Sequence, residues 1–332
     1  MAQGYHVAVA GATGAVGQEM LRVLHQRRFP VRELTLLASA RSVGKTLRFG
    51  DDTVPVQELT SDSFRGVDIA LFSAGGSRSK TFAPHAVEAG AVVVDNSSAF
   101  RMDPQVPLVV PEVNPQEIKS HHGIIANPNC STIAMVVPLY PLHQAFGVRR
   151  VVAATYQAAS GGGAQAMREL QEETLAVLQG RPYQRTVFPQ QYAFNLFPHN
   201  SPLMDNGYVE EEMKMVRETH KIMGDNSLRI TATCVRVPVL RAHSEALNIE
   251  FARDVSPEEA YAVLRKAPGV EVHEDRAHNR WATPVDASGR DPVLVGRLRR
   301  DLSQPNTLDL WLVSDQLLKG AALNAVQIAE LL

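Results

Sequence analysis

Cysteine, net charge and long apolar runs are all scarce in this chain, and each scarcity excludes a class of protein. Two cysteines in 332 residues cannot form a disulfide framework, which favours a reducing compartment. A formal net charge of -2 gives no electrostatic reason to expect nucleic acid or an anionic membrane as a partner. No apolar run approaches the ~18 residues that a membrane-spanning helix requires. Nucleic-acid-binding, membrane and disulfide-rich proteins are therefore excluded.

What remains is the composition of an ordinary globular protein. Hydrophobic residues make up 45% of the chain and charged residues 20%, and the length suffices for two domains with ample core. A strand begins at Tyr5, so no signal peptide is expected and the cytoplasm is the predicted location. No metal site is predicted, because His121 and His122 are adjacent and no acidic or cysteine cluster accompanies them.

Short apolar strands alternate with amphipathic helices in residues 1–128, which predicts a doubly wound parallel sheet. The strands predicted there are residues 7–10, 33–38, 69–73, 92–95 and 124–126, with a helix at 18–27. Longer, alternating strands follow at 150–157, 228–238, 246–251, 292–299 and 307–314. These strands favour a mixed or antiparallel sheet with one face covered by helices.

Helices in the second half are predicted at 164–178, from the capping box at Ser256 to about Lys266, and at 317–331. Residues 181–207 contain several proline, asparagine and aromatic residues and are predicted to form a long irregular connection.

Three glycines follow the first strand directly and open the first helix: Gly11, Gly14 and Gly17. In that context a glycine-rich turn is typical of a dinucleotide site, because the backbone approaches the pyrophosphate closely and the helix N-terminus faces the anion. The spacing G-x-x-G-x-x-G is a variant of the usual fingerprint. The alternative is an ordinary glycine-rich turn.

The residues after the second strand indicate which dinucleotide is bound. Arg41 and Ser42 stand there, Lys45 follows, and no acidic residue is present to bind a ribose 2′-hydroxyl. This pattern favours NADP over NAD. The alternative is that Arg41 is only a solvated loop charge. Ser73 ends the third strand and is expected to lie along the cofactor.

Cys130 lies where the loop N-P-N-C-S-T meets an apolar run that is predicted to be helical. A thiol at a helix N-terminus faces unpaired N–H groups and the positive end of the helix dipole, which favour the thiolate. The thiolate is the nucleophile, and the same N–H groups can stabilise an oxyanion. Thiolate and nicotinamide together indicate oxidation of an aldehyde through a thiohemiacetal and a thioester.

Four further positions are candidates for binding or proton transfer, each with a plainer alternative. Gln157 ends a strand shortly before three glycines and can position the substrate. The alternative is an ordinary strand-to-helix turn in which the glutamine has no role. Arg236 and His243 bracket a turn between strands, where a histidine of ordinary pKa (about 6.5) would serve as acid and base, or be structural. Arg101 can hold a phosphate or carboxylate, or form a surface ion pair. Cys234 lies inside an apolar strand and is interpreted as an inert core residue.

Taken together, these segments resemble the aspartate-β-semialdehyde dehydrogenase family over essentially the whole chain. The order and spacing of the segments are specific, although no single one is decisive. The matching segments are GATGAVG at 11–17, RS at 41–42, NSSAFR at 96–101, NPNCST at 127–132, QAASGGG at 157–163, EEMK at 211–214, RVPVLRAH at 236–243 and KGAALNAVQIAE at 319–330.

The resemblance implies an architecture like that of glyceraldehyde-phosphate dehydrogenase. A Rossmann-type NADP-binding domain is expected at residues 1–128, with the C-terminal helix, 315–332, packing back on it. An α+β catalytic and dimerisation domain with a mixed sheet is expected at 129–314. The implied enzyme is a homodimer or homotetramer that converts L-4-aspartyl phosphate, with NADPH, reversibly to L-aspartate 4-semialdehyde and inorganic phosphate. This reaction belongs to the biosynthesis of lysine, threonine, methionine and diaminopimelate.

The resemblance also assigns roles to individual residues. Cys130 would be the nucleophile and His243 the acid and base, while Gln157 would orient the thiol and the acyl intermediate. Arg236 would bind the substrate α-carboxylate and Glu211 its ammonium group, although E-E-E-M-K alone would be interpreted as a solvated helix face. The implied phosphate ligands are Arg101, Lys214 and Asn96. The implied cofactor contacts are Gly11, Thr13, Gly14, Ala15, Val16, Arg41, Ser42, Ser73, Ser160, Gly161 and Gln316, where Gln316 replaces an expected asparagine.

Other functions remain open at this point. An N-acetyl-glutamyl-phosphate reductase would share the architecture and the cysteine chemistry. Its substrate has an acylated amine, however, so an acidic residue such as Glu211 would have no free ammonium group to bind. Glyceraldehyde-3-phosphate dehydrogenase has different motifs. A cysteine hydrolase has no use for a dinucleotide fold, and a non-catalytic paralogue would not need Cys130, Gln157, Arg236 and His243 together.

Overall fold

A computed structural model describes residues 4–332 and confirms the α/β fold with one parallel and one mixed sheet. The chain divides into two compact units. The first contains the residues up to Asn129 together with Ala321–Leu332, and the second contains Cys130–Gly320. The sequence placed these boundaries at 128/129 and 314/315. Residues 315–320 cluster with the second unit, where Asp315 accepts hydrogen bonds from Arg241 and from the backbone of Gly289.

The sheet of the first unit has seven strands in the order β3-β4-β2-β1-β5-β6-β7. All neighbours are parallel except the β3–β4 hairpin at one edge. The sequence missed this hairpin because β4 is largely exposed and contains Pro55. The strands are β1 Tyr5–Ala10, β2 Val31–Ala38, β3 Thr46–Phe49, β4 Asp52–Glu58, β5 Ile69–Phe72, β6 Val92–Asp95 and β7 Ile124–Ala126.

Three helices cover this sheet: α1 Ala15–Gln26, α2 Gly76–Glu88 and α8 Leu323–Ala329. Helix α1 begins three residues before the predicted start because Gly14 already serves as its N-cap. Helix α8 packs against α1. A bidentate ion pair joins Arg27 to Glu330, with Nε and Nη2 each 2.7 Å from a carboxylate oxygen. A π-helical turn, Leu318–Ala322, precedes α8.

The sheet of the second unit is mixed, in the order β12-β15-β16-β11-β8-β10-β9, with β8 and β10 parallel and β11 antiparallel to β8. A separate hairpin joins β13 to β14. The strands are β8 Val148–Gln157, β9 Phe197–Pro198, β10 Arg229–Arg236, β11 His243–Phe251, β12 Val270–Val272, β13 Glu274–Asp275, β14 Arg280–Trp281, β15 Val293–Arg300 and β16 Thr307–Ser314.

Five helices accompany this sheet: α3 Cys130–Phe146, α4 Gly163–Leu178, α5 Glu210–Met223, α6 Pro257–Leu264 and α7 Pro284–Ala287. Helix α3 is buried along most of its length and packs on β8, β11, β15 and β16. The predicted capping box opens α6, where Ser256 accepts from the Glu259 N–H, but the helix ends at Leu264 rather than near Lys266. None of the helices within residues 4–332 combines the length and apolar character needed to cross a bilayer.

Candidate active site

Three polar side chains of the second unit meet at one edge of its sheet. Gln157 is the last residue of β8, Arg236 is the last of β10, and the parallel register pairs them directly. His243 is the first residue of the antiparallel strand β11, so it begins at the edge where the other two strands end. All three residues are at least nine-tenths buried. Strand ends at a common sheet edge are a usual place for ligand-binding side chains.

Cys130 is the first residue of helix α3 and is partly exposed. Helix α3 is 17 residues long, so the thiol lies at the positive end of a long row of aligned peptide dipoles. Gly320 packs closely beside it, since a Cβ built at Gly320 would lie 2.7 Å from the Cβ of Cys130. Position 320 therefore has to be glycine for the nucleophile to stay in place.

The amide of Gln157 connects helices α3 and α5. Its Nε2 donates to the Ser131 hydroxyl at 2.7 Å and to Glu211 Oε1 at 3.1 Å. Its Oε1 is buried and makes no hydrogen bond within the described residues. Gln157 thus fixes the residue next to the nucleophile and leaves one acceptor available to a ligand.

Glu211 lies in the first turn of α5 and is buried, with 7% of its surface exposed. Its Oε2 lies 3.4 Å from Lys214 Nζ, and Lys214 is also 3.4 Å from Glu210. The side chain of Lys214 is 23% exposed. The acidic run is therefore not simply a solvated helix face, because one of its carboxylates points inward beside Gln157.

Arg236 is held by groups that the sequence did not indicate. Its Nη2 donates to His199 Nε2 at 2.7 Å, its Nη1 donates to the Ala158 carbonyl at 3.3 Å, and its guanidinium lies over the Phe188 ring. Burial and the adjacent Arg236 charge lower the pKa of His199 to about 4, so His199 is neutral and accepts. His199 lies in the irregular connection, which has no periodic signal from which to predict it.

Two buried carboxylates of α4 fix that irregular connection. Glu169 accepts hydrogen bonds from the backbone N–H groups of residues 186, 187 and 188. Glu173 accepts from the backbone of residues 192 and 193 and pairs with Arg185. Although burial raises the pKa of Glu169, the three backbone N–H groups lower it more, so the carboxylate stays charged. These hydrogen bonds hold residues 186–193 in place, including Phe188, whose ring lies against Arg236.

His243 accepts a hydrogen bond at Nδ1 from the backbone N–H of Ala158, with a separation of 3.0 Å. Burial, followed by the nearby Arg236 charge, lowers the pKa of His243 to about 3, and Glu211 opposes this shift only partly. The ring is therefore neutral at physiological pH, which differs from the ordinary histidine that the sequence predicted. A Cβ at Gly161 would lie 3.0 Å from His243 Nε2, so glycine there leaves room for the ring edge.

Gln316 lies within the second unit and uses both ends of its amide there. Its Nε2 donates to the Ser160 hydroxyl, and its Oε1 accepts from the backbone N–H of Ala242 at 3.0 Å. Ala242 has a φ of 73°, a left-handed conformation that costs a non-glycine residue energy, and this bond stabilises the turn before His243. A contact from Gln316 to the cofactor stays a prediction.

One layer deeper, Glu245 is fully buried on β11 opposite Thr155 of β8. Neither of its oxygens makes a hydrogen bond within the described residues, and burial raises the pKa of Glu245 well above its usual value. Cys234 is also fully buried, and burial raises the pKa of its thiol, so it is an inert thiol.

The first unit contains the candidate cofactor residues. Gly11 has a φ of 89°, and a Cβ there would lie 2.4 Å from the Ser73 carbonyl oxygen. A Cβ at Gly17 would lie 2.3 Å from the Gly11 carbonyl oxygen. Gly14 caps α1 without a side chain, so the helix N-terminus with Thr13, Ala15 and Val16 is open to an anion. The turn fits a pyrophosphate.

The turn after β2 contains exposed Arg41 and buried Ser42. In the same unit Arg101 is 8% exposed, and it donates to the carbonyl oxygens of Asn127 and Asn96, each at 2.9 Å. The Asn96 side chain donates to the Phe72 carbonyl, and its Oδ1 makes no hydrogen bond within the described residues. Among residues 4–332, no group of three or more histidine, cysteine or acidic side chains is arranged to hold a metal ion.

Two family models match this chain, one in each half. Residues 6–121 match the family model of the semialdehyde dehydrogenase NAD-binding domain, and residues 139–319 match that of the semialdehyde dehydrogenase dimerisation domain. An aspartate-semialdehyde dehydrogenase of Synechocystis sp. is 59% identical over 98% of this chain and 96% of its own length.

Solved structures give the same result. Aspartate semialdehyde dehydrogenase II of Vibrio cholerae, complexed with ASA, has a TM-score of 0.97 and 50% identity over 99% of this chain and 98% of its own. The Candida albicans enzyme with NADP has a TM-score of 0.75 and 26% identity over 99% and 98% of the two chains. The family that the sequence predicts is confirmed: the chain belongs to the semialdehyde dehydrogenases and is related along its whole length to aspartate-semialdehyde dehydrogenases.

Proposed function

We propose that this protein catalyses the reversible, NADP-dependent interconversion of L-4-aspartyl phosphate with L-aspartate 4-semialdehyde and phosphate, a step of amino-acid biosynthesis. The observation that carries the proposal is the meeting of Gln157, Arg236 and His243 at one sheet edge, with Glu211 bonded to Gln157. A buried arginine and a buried carboxylate in one site suit a substrate with both an α-carboxylate and an α-ammonium group. An N-acetylated amine offers no charge to Glu211, so the acetyl-glutamyl substrate is not favoured.

The proposed steps assign one task to each residue. Cys130 thiolate attacks the acyl phosphate carbon, phosphate leaves, and a thioester forms on Cys130. When bound, the reduced nicotinamide supplies the hydride that the thioester carbon accepts. Arg236 binds the α-carboxylate, Glu211 binds the ammonium group, and Gln157 holds the acyl group in position. Charge-assisted hydrogen bonds of about 1.5–3 kcal/mol each would orient the substrate for attack.

The phosphate group is assigned to Lys214, Arg101 and Asn96. In support, the Lys214 side chain is partly exposed, and its Nζ lies 3.4 Å from Glu211, the proposed ammonium ligand. The Arg101 guanidinium is fixed by two backbone carbonyl groups.

Lys214→Ala is expected to raise the KM for phosphate by about 10- to 100-fold, because one charge-assisted hydrogen bond to the phosphate would be lost. The KM for the aldehyde should change much less. Both constants are measured in the oxidative direction with varied phosphate. Arg217→Ala, an exposed cation on the same helix, is the matched control. An equal rise in both constants would contradict the assignment.

NADP rather than NAD is proposed as the cofactor because Arg41 is an exposed cation in the turn after β2 and no acidic residue stands there. The contacts proposed are those of the glycine turn, Ser42, Ser73, the Ser160-Gly161 turn and Gln316.

Arg41→Ala is expected to lower kcat/KM for NADP at least about tenfold while leaving that for NAD nearly unchanged. The loss follows from removing the charge that would pair with the 2′-phosphate. Arg65→Ala, an exposed arginine of the same unit, serves as control. An unchanged preference would move the 2′-phosphate site elsewhere.

The activity itself is tested with purified protein, L-aspartate 4-semialdehyde, NADP and phosphate, by the absorbance of the NADPH formed. Phosphate-dependent NADPH formation is expected, with none in the phosphate-free control. Activity on N-acetyl-glutamate semialdehyde alone would favour the other reductase, and inactivity on both would favour a non-catalytic role. We also propose a homodimer or homotetramer, supported by the match to a dimerisation domain.

A further inference from the structure

His199 lies between two groups that can only donate hydrogen bonds. Its Nε2 is 2.7 Å from Arg236 Nη2, and its Nδ1 is 3.2 Å from the backbone nitrogen of Ser201. A guanidinium group and a peptide N–H offer a partner hydrogen atoms and no lone pair. A neutral imidazole has one N–H and one lone pair, so it can accept from only one of these two donors. Its own N–H must then face the other donor.

Protonation does not remove this conflict. Burial, followed by the Arg236 charge, lowers the pKa of His199 to about 4, so the ring is neutral at physiological pH. A second proton would leave the ring with no lone pair at all. The Arg236 contact is the shorter of the two and is charge-assisted, so the lone pair lies at Nε2. Nδ1 then carries the proton and faces the Ser201 N–H, which is an unfavourable contact.

The chain around His199 holds the ring in this place. His199 follows β9 directly, and β9 pairs with the end of β10 that contains Arg236. The backbone N–H of His199 donates to the Cys234 carbonyl at 2.8 Å. The Ser201 hydroxyl accepts from the backbone N–H of Glu211 at 3.0 Å. The ring therefore stays beside Arg236 and near the first turn of α5, where the proposed ligands of both charged substrate groups lie.

A carboxylate is a group that relieves the conflict, because its oxygens have lone pairs and no hydrogen. Arg236 Nε is buried and makes no hydrogen bond within residues 4–332, so the guanidinium has a donor to offer such a ligand. Once the carboxylate accepts from Arg236, His199 Nε2 no longer has to supply a lone pair. The ring can then lose its Nδ1 proton to water and gain one from water at Nε2, with no net change in protonation. Nδ1 accepts from Ser201, and Nε2 donates to the carboxylate.

We propose that His199 is a further ligand of the substrate α-carboxylate, to which it donates from Nε2, and that binding of this group moves the ring proton from Nδ1 to Nε2. The identity of the ligand rests on the proposed function, whereas the conflict between the two donors does not. An amide or an alcohol in place of the carboxylate would bring hydrogen atoms to a place already surrounded by donors, so the site would select the carboxylate.

The movement of the ring proton is tested by long-range ¹H–¹⁵N NMR on protein labelled at its 11 histidines, with the His199 signals assigned by their absence in His199→Gln. The probe is L-2-aminobutyrate, which has both charged α-groups and no aldehyde, at concentrations that inhibit turnover. The matched probe without the carboxylate is 1-aminopropane. We expect a protonated Nδ1 without probe, a protonated Nε2 with L-2-aminobutyrate, and no change with 1-aminopropane. A ring that keeps one tautomer throughout, or becomes doubly protonated, would overturn the proposal.

The contribution of His199 to substrate binding is tested with two variants. His199→Gln keeps an uncharged side chain with both a donor and an acceptor, and His199→Leu has neither. The leucine variant should lose about 10- to 100-fold in kcat/KM for L-aspartate 4-semialdehyde, and the glutamine variant clearly less. With 3-aminopropanal, which has no α-carboxylate, the parent and both variants should give nearly the same kcat/KM. His278→Leu, at an exposed histidine of the same unit, is the control.

Two kinetic results would contradict this role. An equal loss on both aldehydes would show that His199 only supports the fold of the site. An undiminished kcat/KM in His199→Leu would show that the ring does not contact the substrate. A parent protein that is inactive on the semialdehyde would refute the proposed function instead, whereas a loss confined to the variants leaves that function intact.

Discussion

Replacing Cys130 with serine is expected to lower kcat by at least about 10³-fold while the protein still folds and binds NADPH. A hydroxyl group supplies almost no anion at neutral pH, and the helix dipole that favours a thiolate is too weak to ionise an alcohol. The substitution is nearly isosteric at a partly exposed position, so stability should change little. Turnover is measured in both directions, and cofactor binding by NADPH fluorescence.

Cys234 provides the matched control for this experiment. Cys234→Ala removes the other thiol, which is fully buried, and is expected to leave kcat close to that of the parent. Iodoacetamide should alkylate Cys130 and spare Cys234, as read by mass spectrometry of the peptides. Substantial dehydrogenase activity in Cys130→Ser would show that another group attacks the substrate.

Arg236→Lys is expected to lower kcat/KM for the semialdehyde by about 10²–10³-fold. Lysine keeps the positive charge but loses the planar guanidinium group. That group donates to His199 and Ala158 and has further N–H donors for a carboxylate. Two charge-assisted hydrogen bonds of about 1.5–3 kcal/mol would be weakened or lost, and each 1.36 kcal/mol is about tenfold.

A substrate analogue without the α-carboxylate distinguishes loss of carboxylate binding from a general disruption of the site. For 3-aminopropanal, which lacks that group, parent and Arg236→Lys should give nearly the same kcat/KM, because neither can use the contact. Arg229→Lys, an exposed arginine on the same strand, controls for the substitution itself. An equal loss on both aldehydes would mean that Arg236 supports the fold of the site rather than binding the carboxylate.

Much of the fold was readable because its signals are local. Strands β6, β7 and β16 have the predicted bounds, since each is a compact apolar or alternating run between turn residues. The β3–β4 hairpin was missed because an exposed edge pair has no apolar signal. Helix α2 was not predicted either; it contains Pro84 and has a weakly apolar face with few buried residues.

The sequence by itself determined the family, from the order and spacing of segments along the whole chain. It also determined the dinucleotide turn and the candidate nucleophile, because each of these depends on residues within one short stretch of chain. Only the tertiary structure decided what surrounds them. Ala158, whose N–H donates to His243, is 85 positions from it in the sequence. Arg236 is 37 positions from its partner His199, and Gln157 is 54 positions from its partner Glu211. Burial and neighbouring charge set whether the pKa of a histidine keeps its ordinary value or is lowered, and both are properties of the packed chain.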